Sequence, residues 1–567
     1  MATKDEITRV ETAMAVNDNE LHQIPTIEID NYNGLTLKAS LVYTSLLFVS
    51  ICQLWTVVGS GAFSRDIATS FNRPTDAVWM SQTLVITVIV LGPFISQGAD
   101  LWGRKWFLCG LTGLGAVGSV ITGRADSMEM AIGGQVITAL SLGNQTLLYA
   151  IASEILPRRF RPGAQAGITG SGGLGAILAL LAGSYVVKEY TEGWRIVFYI
   201  AAALLGVSAI TCVIFYNPPP RALQQTLSQK EKLGRIDWPA FGLLAIGVTL
   251  LSIGLSWGQN PYPWKSARVL GPLVVGIVFL LAFAVHQTVL KKNGIIHHTL
   301  FKQDRNFALA LGCIFADGMI FWAGNNYYPF QASVLYETDP VRVGLMFAIA
   351  FITAIFASVA CAIYSSSFKD VRGPLVASFA SFCIFNVLMA TIKTGQVAIA
   401  WAYPIFLGIG LGFSLTSLVT IAQLSTPPNL VAVATGLIIA ARSLGGSIGL
   451  GIFTAILNSA IAGKLPAKIA AAVVPLGLNP QALPLFIGAL AAHNDAALFA
   501  VPGVSPQIIG AGVQALQQAY LESFRGVWIA AAVVSFVTMI VSCFFVNPKP
   551  SFTMHVDAPL EADSKEI

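Results

Sequence analysis

Apolar runs of about 20 residues return fourteen times along the 567-residue chain, separated by short stretches rich in charge, Gly and Pro. A helical run of that length matches the roughly 30 Å hydrocarbon core of a bilayer, so each run predicts a membrane-crossing helix. Helices satisfy their backbone hydrogen bonds within one lipid-embedded segment, and the runs are too long and continuous for barrel strands. The windows lie near 40–62, 78–98, 104–123, 128–151, 164–187, 195–216, 238–258, 268–290, 307–329, 343–364, 374–392, 397–421, 433–456 and 525–546. Composition agrees: 55% of the residues are hydrophobic and 11% charged, against about a quarter charged in a soluble globular chain. The expected fold class is an all-α membrane protein with 14 transmembrane helices.

Several function classes recede at once. The seven cysteines all fall inside apolar runs, where they read as small buried hydrophobes and offer neither a disulfide framework nor a metal set. No cofactor is expected. The net charge of +5 is spread over loops, without a nucleic-acid footprint. There is no P-loop or HExxH motif, which argues against an ATP-driven pump or a metalloprotease.

Loop charges orient the chain. Arg104/Lys105, Arg158/Arg159/Arg161, Arg221/Lys230/Lys232/Arg235, Lys291/Lys292/Lys302/Arg305 and Lys369/Arg372 all fall on the side shared by the two tails, which predicts that side as cytoplasmic. The polar, acidic stretch 1–38 lacks the pattern of a cleavable signal, and it and 547–567 read as disordered tails. On the opposite side, the long loop 457–524 holds Pro475, Pro480, Pro484, Pro502, Pro506 and His493-Asn494-Asp495, predicting short interfacial helices.

The chain also repeats itself. Asp100-Leu-Trp-Gly103 between spans two and three is echoed by Asp370-Val-Arg-Gly373 between spans ten and eleven. The glycines of span five (Gly170, Gly172, Gly173, Gly175) are echoed at nearly the same offset in span thirteen (Gly445, Gly446, Gly449, Gly451). Two six-helix bundles, 39–216 and 307–546, with a linker 217–306 carrying two extra helices, give that offset. Parallel repeats of this kind mark secondary transporters with a central site between the halves.

The loop itself divides its labour. Gly103 suits a tight reversal, Arg104 and Lys105 read as headgroup anchors, and Asp100 reads either as part of the anchor or as a conformational switch pairing with a base on the other half. In span five Gly163, Gly167, Ser171, Gly175, Ala179 and Gly183 recur every fourth residue, so one stripe of that helix is small throughout. Such stripes bring helices into close contact in lipid, and Gly167, Gly175, Gly183, Gly445 and Gly449 are the candidate packing glycines.

Ionisable groups at mid-membrane are costly and point to function. Asp317, near the centre of span nine, and Arg442, near the centre of span thirteen, are the two candidates for a proton or substrate site. A carboxyl isolated from water favours its protonated form, so proton binding can alternate with substrate binding; a nearby arginine holds it ionised and makes a structural lock. Glu154 is expected to pair at the interface with Arg158 and Arg159. Gln135, Asn144 and Gln145 in span four, with Trp55, Trp79, Phe321, Trp322 and Tyr328, are candidates to line a cavity for a large amphipathic molecule, each with helix-to-helix bonding as the alternative.

GADLWGRK (Gly98 to Lys105), EILPRRFRP (Glu154 to Pro162), GWR (Gly193 to Arg195), IDW (Ile236 to Trp238) and ARSLGGSIG (Ala441 to Gly449) are motifs in which the chain resembles the fourteen-span drug/proton antiporters of the major facilitator superfamily. YYPFQ (Tyr327 to Gln331), TDPVRVG (Thr338 to Gly344), AVPGVSPQII with AYLESFRGVW (Ala500 to Trp528) and MHVDAPLE (Met554 to Glu561) are similar to the fungal trichothecene-efflux and siderophore-transporter group. The resemblance covers roughly residues 40 to 561. It implies alternating access and export of a toxin, secondary metabolite or drug against inward protons, by a monomer in the plasma membrane or a vacuolar or vesicle membrane. Uptake of a ferric siderophore is the mirror reading, and a non-transporting receptor or membrane enzyme the reading from another class. Departures from the family pattern are Ser96 and Leu101 in the loop, Gln135 where the family carries an arginine tied to proton coupling, and Ala179-Leu180 in place of the span-five proline.

Overall fold

The computed structural model describes residues 36–557 apart from 219–221, 227, 259–261, 292–293, 303 and 492–497. Nearly all of the first tail, residues 558–567, Arg221, Lys292 and His493-Asn494-Asp495 lie outside the described residues.

Fourteen helices are long and apolar enough to cross a membrane. They are α1 (Leu37–Ala62), α2 (Pro74–Trp102), α3 (Arg104–Gly123), α4 (Met128–Ile155), α5 (Arg158–Glu189), α6 (Trp194–Phe215), α7 (Trp238–Trp257), α8 (Ala267–Leu290), α9 (Arg305–Leu335), α10 (Pro340–Phe368), α11 (Arg372–Thr391), α12 (Val397–Leu424), α13 (Val431–Leu476) and α14 (Pro506–Ser542). Most outrun their apolar windows because capping side chains add a polar turn: Asp304 accepts from the Asn306 amide and Asp339 from the Val341 amide.

The packing has an internal symmetry. Within the first six helices α1/α5, α1/α6, α2/α4, α3/α4 and α3/α6 pack closely, and within the last six their mates α9/α13, α9/α14, α10/α12, α11/α12 and α11/α14 do, when α1 is matched to α9, α2 to α10, and so on through α6 to α14. The last six add an extensive α13/α14 pairing whose mate α5/α6 touches only lightly. The two bundles meet along two seams, α5 against α10 and α2 against α13, which are also mates. The inserted helices α7 and α8 pack on each other, and α7 leans on α2 and α13 through the Ser252–Ser447 hydroxyl contact of 2.7 Å.

Two expectations change. The segment expected as a loop over 457–524 is mostly helix, because α13 runs on to Leu476 and α14 begins at Pro506. Ile469 and Val473 of one extension and Leu516 and Ala519 of the other close over Phe486 and Leu490 of the short helix Leu483–Ala491, forming a satellite core. Pro506 stands at the start of α14, where a missing N–H is harmless, and Pro475 opens the 3-10 turn Val474–Leu476 that closes α13. The second change is the C-terminal tail, ordered by contacts as far as Asp557: Phe552 is buried, and the Arg158 and Arg159 amides donate to the carbonyls of His555 and Thr553 at 3.1 and 2.8 Å.

Candidate functional site

Asp317 and Arg442 come together. They sit one helix apart on α9 and α13, and Arg442 Nε donates to Asp317 Oδ2 at 2.6 Å. Ser414 of α12 donates its hydroxyl to the other carboxylate oxygen, Oδ1. Asp317 is fully buried, so both its oxygens are satisfied by protein. The guanidinium carbon of Arg442 lies 4.6 Å from the centre of the Phe321 ring, a cation over an aromatic face. The close approach of α9 and α13 that permits this depends on glycines: a side-chain carbon on Gly318 would strike the Arg442 carbonyl, and one on Gly445 the Phe315 carbonyl.

Arg442 and Phe321 form one wall of a central cavity of about 50 Å³. Gln145, Tyr149 and Thr169 of α4 and α5 form the facing wall, so the cavity lies between the halves. Gln145 is thus the one member of the span-four polar set that lines it. Gln135 is turned toward α1, donating to Ser60 Oγ at 3.0 Å. Asn144, at a break in α4, donates to the Leu108 carbonyl at 3.0 Å and to Thr112 Oγ1 at 3.3 Å, which ties α4 to α3. These two hold helices together and stand away from the cavity. Of the aromatics expected from sequence only Phe321 lines it; Trp55 donates to the Val197 carbonyl, and Tyr328 packs between Phe347 and Phe385.

The cavity is closed at both ends. Toward the tails, Gln165 of α5 donates to Gln423 Oε1 of α12 at 3.0 Å, Gln423 donates to Thr435 Oγ1 of α13 at 3.0 Å, and Arg161 Nη1 donates to the Gln423 carbonyl at 3.1 Å. Arg161 and Arg158 converge on the Asp557 carboxylate, Arg158 Nη2 at 2.7 Å, so the tail covers this end. At the far end, Ser81 of α2 donates to Asn326 Oδ1 of α9 at 3.0 Å, Gln82 to Ser447 Oγ of α13 at 3.1 Å, and Lys188 pairs with Asp339 at 3.1 Å. The gate residues Gln165, Gln423 and Asp557 carry no local sequence signal, since each is one polar residue whose partner in the other half or at the other end of the chain lies hundreds of positions away.

The charged loop is a lock within one half. Gly103 takes a φ of +96°, which favours glycine, and reverses the chain between α2 and α3. Arg104 is buried and so does not reach the headgroup layer: Nη2 donates to Glu154 Oε1 at 2.8 Å and to Asp100 Oδ1 at 3.3 Å. Asp100 pairs with Arg104 within its own loop, and Glu154 pairs with Arg104, where Arg158 and Arg159 were expected. Lys105 contacts Asn217 Oδ1. In the echo, Asp370 Oδ1 accepts from the Gly373 amide at 3.1 Å and Oδ2 from Tyr364 at 3.2 Å; Pro374 stands where Arg104 stands, so the lock exists once.

The span-five stripe faces α1. A carbon on Gly167 would meet Tyr43, on Gly175 the Ile51 carbonyl and on Gly183 the Phe63 ring. Gly449 meets Met319 in the mated α13/α9 contact. The seam between the halves uses the neighbouring face, where Gly173 meets Ile355 and Gly344 meets Ser184.

The sequence profile of the Major Facilitator Superfamily matches residues 44–450. The MFS-type transporter ucsD of an Acremonium species is 29% identical over 435 residues, covering 75% of this chain and 71% of that one. Efflux pump FUS6 of Gibberella fujikuroi is 26% identical over 86% of this chain and 85% of the pump, and efflux pump aflT of Aspergillus parasiticus 26% identical over 79% and 86%. Among solved structures, a bacterial homologue of the human lysosomal transporter Spinster, inward-facing and occupied, aligns with a TM-score of 0.54 at 14% identity, covering 89% of this chain and 97% of that one. That likeness concerns the fold alone.

Proposed function

Since this chain belongs to the Major Facilitator Superfamily, we propose that it is a secondary-active efflux transporter that moves an organic small molecule out of the cell in exchange for protons. The observation that carries the reading is the Asp317–Arg442 pair in the wall of a closed cavity between two mated bundles. A buried carboxylate and guanidinium neutralise each other and hold α9 to α13; adding a proton to Asp317 discharges the pair and leaves Arg442 to a substrate or to the α4 polar wall. One proton thus changes both the charge in the cavity and the contact between helices. Asp317, Arg442 and Gln145 are the groups assigned to the proton and substrate site, with Gln135 and Asn144 as helix ties.

The seams α5/α10 and α2/α13 are the surfaces on which the halves rock, the glycines allowing the close approach. The Asp100–Arg104–Glu154 lock keeps the first half rigid during that motion. The tail end is assigned to the cytoplasm from its loop charges, the membrane to the plasma membrane and the working unit to a monomer, with a transport role and no enzymatic one. The relatives named as efflux pumps support outward transport.

The test is transport in proteoliposomes with an imposed pH gradient, comparing wild type with Asp317→Asn. Loss of gradient-driven movement with retained equilibrium exchange is expected; full gradient-driven transport by the variant overturns the proton assignment.

A further inference from the structure

Above the central cavity, at the end remote from the tails, a cation stands in the seam with one acid, its neighbour Asp66, close by. Arg65 lies in the short helix Ser64–Ser70 after α1, its guanidinium carbon 3.2 Å from the centre of the Phe330 ring of the other half. Among the described residues it makes no ion pair within 4.0 Å and no hydrogen bond. Its side chain opens onto two cavities and stays solvent-exposed between them.

Those cavities meet at Arg65 and Asn326. The smaller, about 90 Å³, is walled by Thr75, Ser256, Thr454 and Asn458 and holds no carboxylate. Ser256 is buried to 4% exposure, and its hydroxyl has no hydrogen-bond partner. A buried hydroxyl left without a partner costs about 1–3 kcal/mol. One ligand group that accepts from the Arg65 cation and this hydroxyl together relieves that cost. The larger cavity, about 140 Å³, is walled by Phe330, Pro329 and Val343 as well as Ser184, and has Asp66 at its edge.

We propose that this vestibule is a second binding site, taking the carboxylate of an organic anion on Arg65 and Ser256 and its uncharged body in the larger cavity. A carboxylate matches the flat guanidinium fork in charge and geometry. The site's role as an exit station for an exported acid rests on the transport reading; the binding itself does not. Asp66 sits on the body side, so it repels a carboxylate turned the wrong way and fixes the ligand's direction.

The experiment is equilibrium binding of radiolabelled benzoate, with neutral benzamide as its isostere, to the full-length chain in nanodiscs without any gradient. Benzoate is expected to bind and benzamide to bind about tenfold or more weakly. Arg65→Gln loses benzoate by a similar factor, Arg65→Lys retains it within a few-fold, and Ser256→Ala weakens it; the lysine variant separates lost binding from lost folding. Benzamide binding as well as benzoate overturns the site. Benzoate binding that survives Arg65→Gln but falls with Arg442→Gln moves the anion to the central cavity and also overturns it. Gradient-driven transport is a separate measurement, so failure of the export reading leaves a distinct record.

Discussion

Arg442 and Asp317, 125 positions apart in the chain, meet with Nε 2.6 Å from Oδ2, and the carboxylate has no exposed surface. Removing one partner of such a pair leaves a buried charge uncompensated, which costs about 3–5 kcal/mol, whereas replacing both by neutral groups costs much less. Asp317→Ala should therefore be strongly destabilised in thermal unfolding, and Asp317→Asn with Arg442→Gln should recover most of the loss. Transport should not recover with it. A double variant as unstable as the single one would show that the two charges are not energetically coupled.

The tail-end closure depends on Asp557. Its carboxylate is nearly buried and joins Arg158 at 2.7 Å and Arg161, while Arg161 also donates to the Gln423 carbonyl of the other half. Hydrogen bonds to charged groups contribute about 1.5–3 kcal/mol, so Asp557→Asn should open this end about ten- to a hundredfold more often. The measurement is maleimide labelling of a cysteine at Thr426, on a background without other reactive cysteines. An unchanged labelling rate would mean that the tail lies on the gate without holding it.

The glycine pattern makes a paired prediction. A methyl at Gly175 would meet the Ile51 carbonyl, and one at Gly445 the Phe315 carbonyl, in mated positions of the two bundles; Gly163 faces open space. Backbone cannot move aside as a side-chain tip can, so Gly175→Ala and Gly445→Ala should each lose about 1–3 kcal/mol. Gly163→Ala should be neutral or gain up to about 1 kcal/mol from helix propensity. Thermal unfolding monitored by size-exclusion chromatography reads all three.

What could be read from the sequence follows from which signals are local. The helices were legible because each apolar run closes its own hydrogen bonds, and the twin bundles because Asp100 and Asp370 mark equivalent turns. Asp317 and Arg442 stood out because a charge in an apolar run is expensive wherever its partner lies. Their contact was not legible, and neither was the burial of Arg104, whose pairing with Glu154 spans 50 positions. The Gln165–Gln423 bond spans 258 positions and joins two residues unremarkable in isolation. Asp557 looked like one more acid in a polar tail. Arg65 carried no signal either, because the Phe330 ring under its guanidinium lies far along the chain.

Asp66 gives the vestibule a pH dependence. Partial loss of hydration beside the protein raises the Asp66 carboxyl to about 6, against the pull of Arg65, compared with about 3.9 for a free aspartate. A raised value means that the folded protein binds this proton more tightly than the unfolded chain. The stabilisation is complete below about pH 4 and is lost as pH rises through about 6. The same titration sets the field at Arg65: near neutral pH the ionised Asp66 competes with an incoming carboxylate, and at about pH 5 most of that competition is gone. Tyr327 and Tyr520, the other titratable groups coupled to Arg65, remain neutral across this range, and Asp339 is engaged by Lys188. Benzoate affinity should therefore rise about three- to tenfold between about pH 7 and pH 5, the effect of one partly screened charge. Asp66→Asn should bind near neutral pH as tightly as wild type does in acid, with a flat profile. A wild-type affinity that stays flat or falls on acidification would mean that Asp66 does not act on the anion held at Arg65.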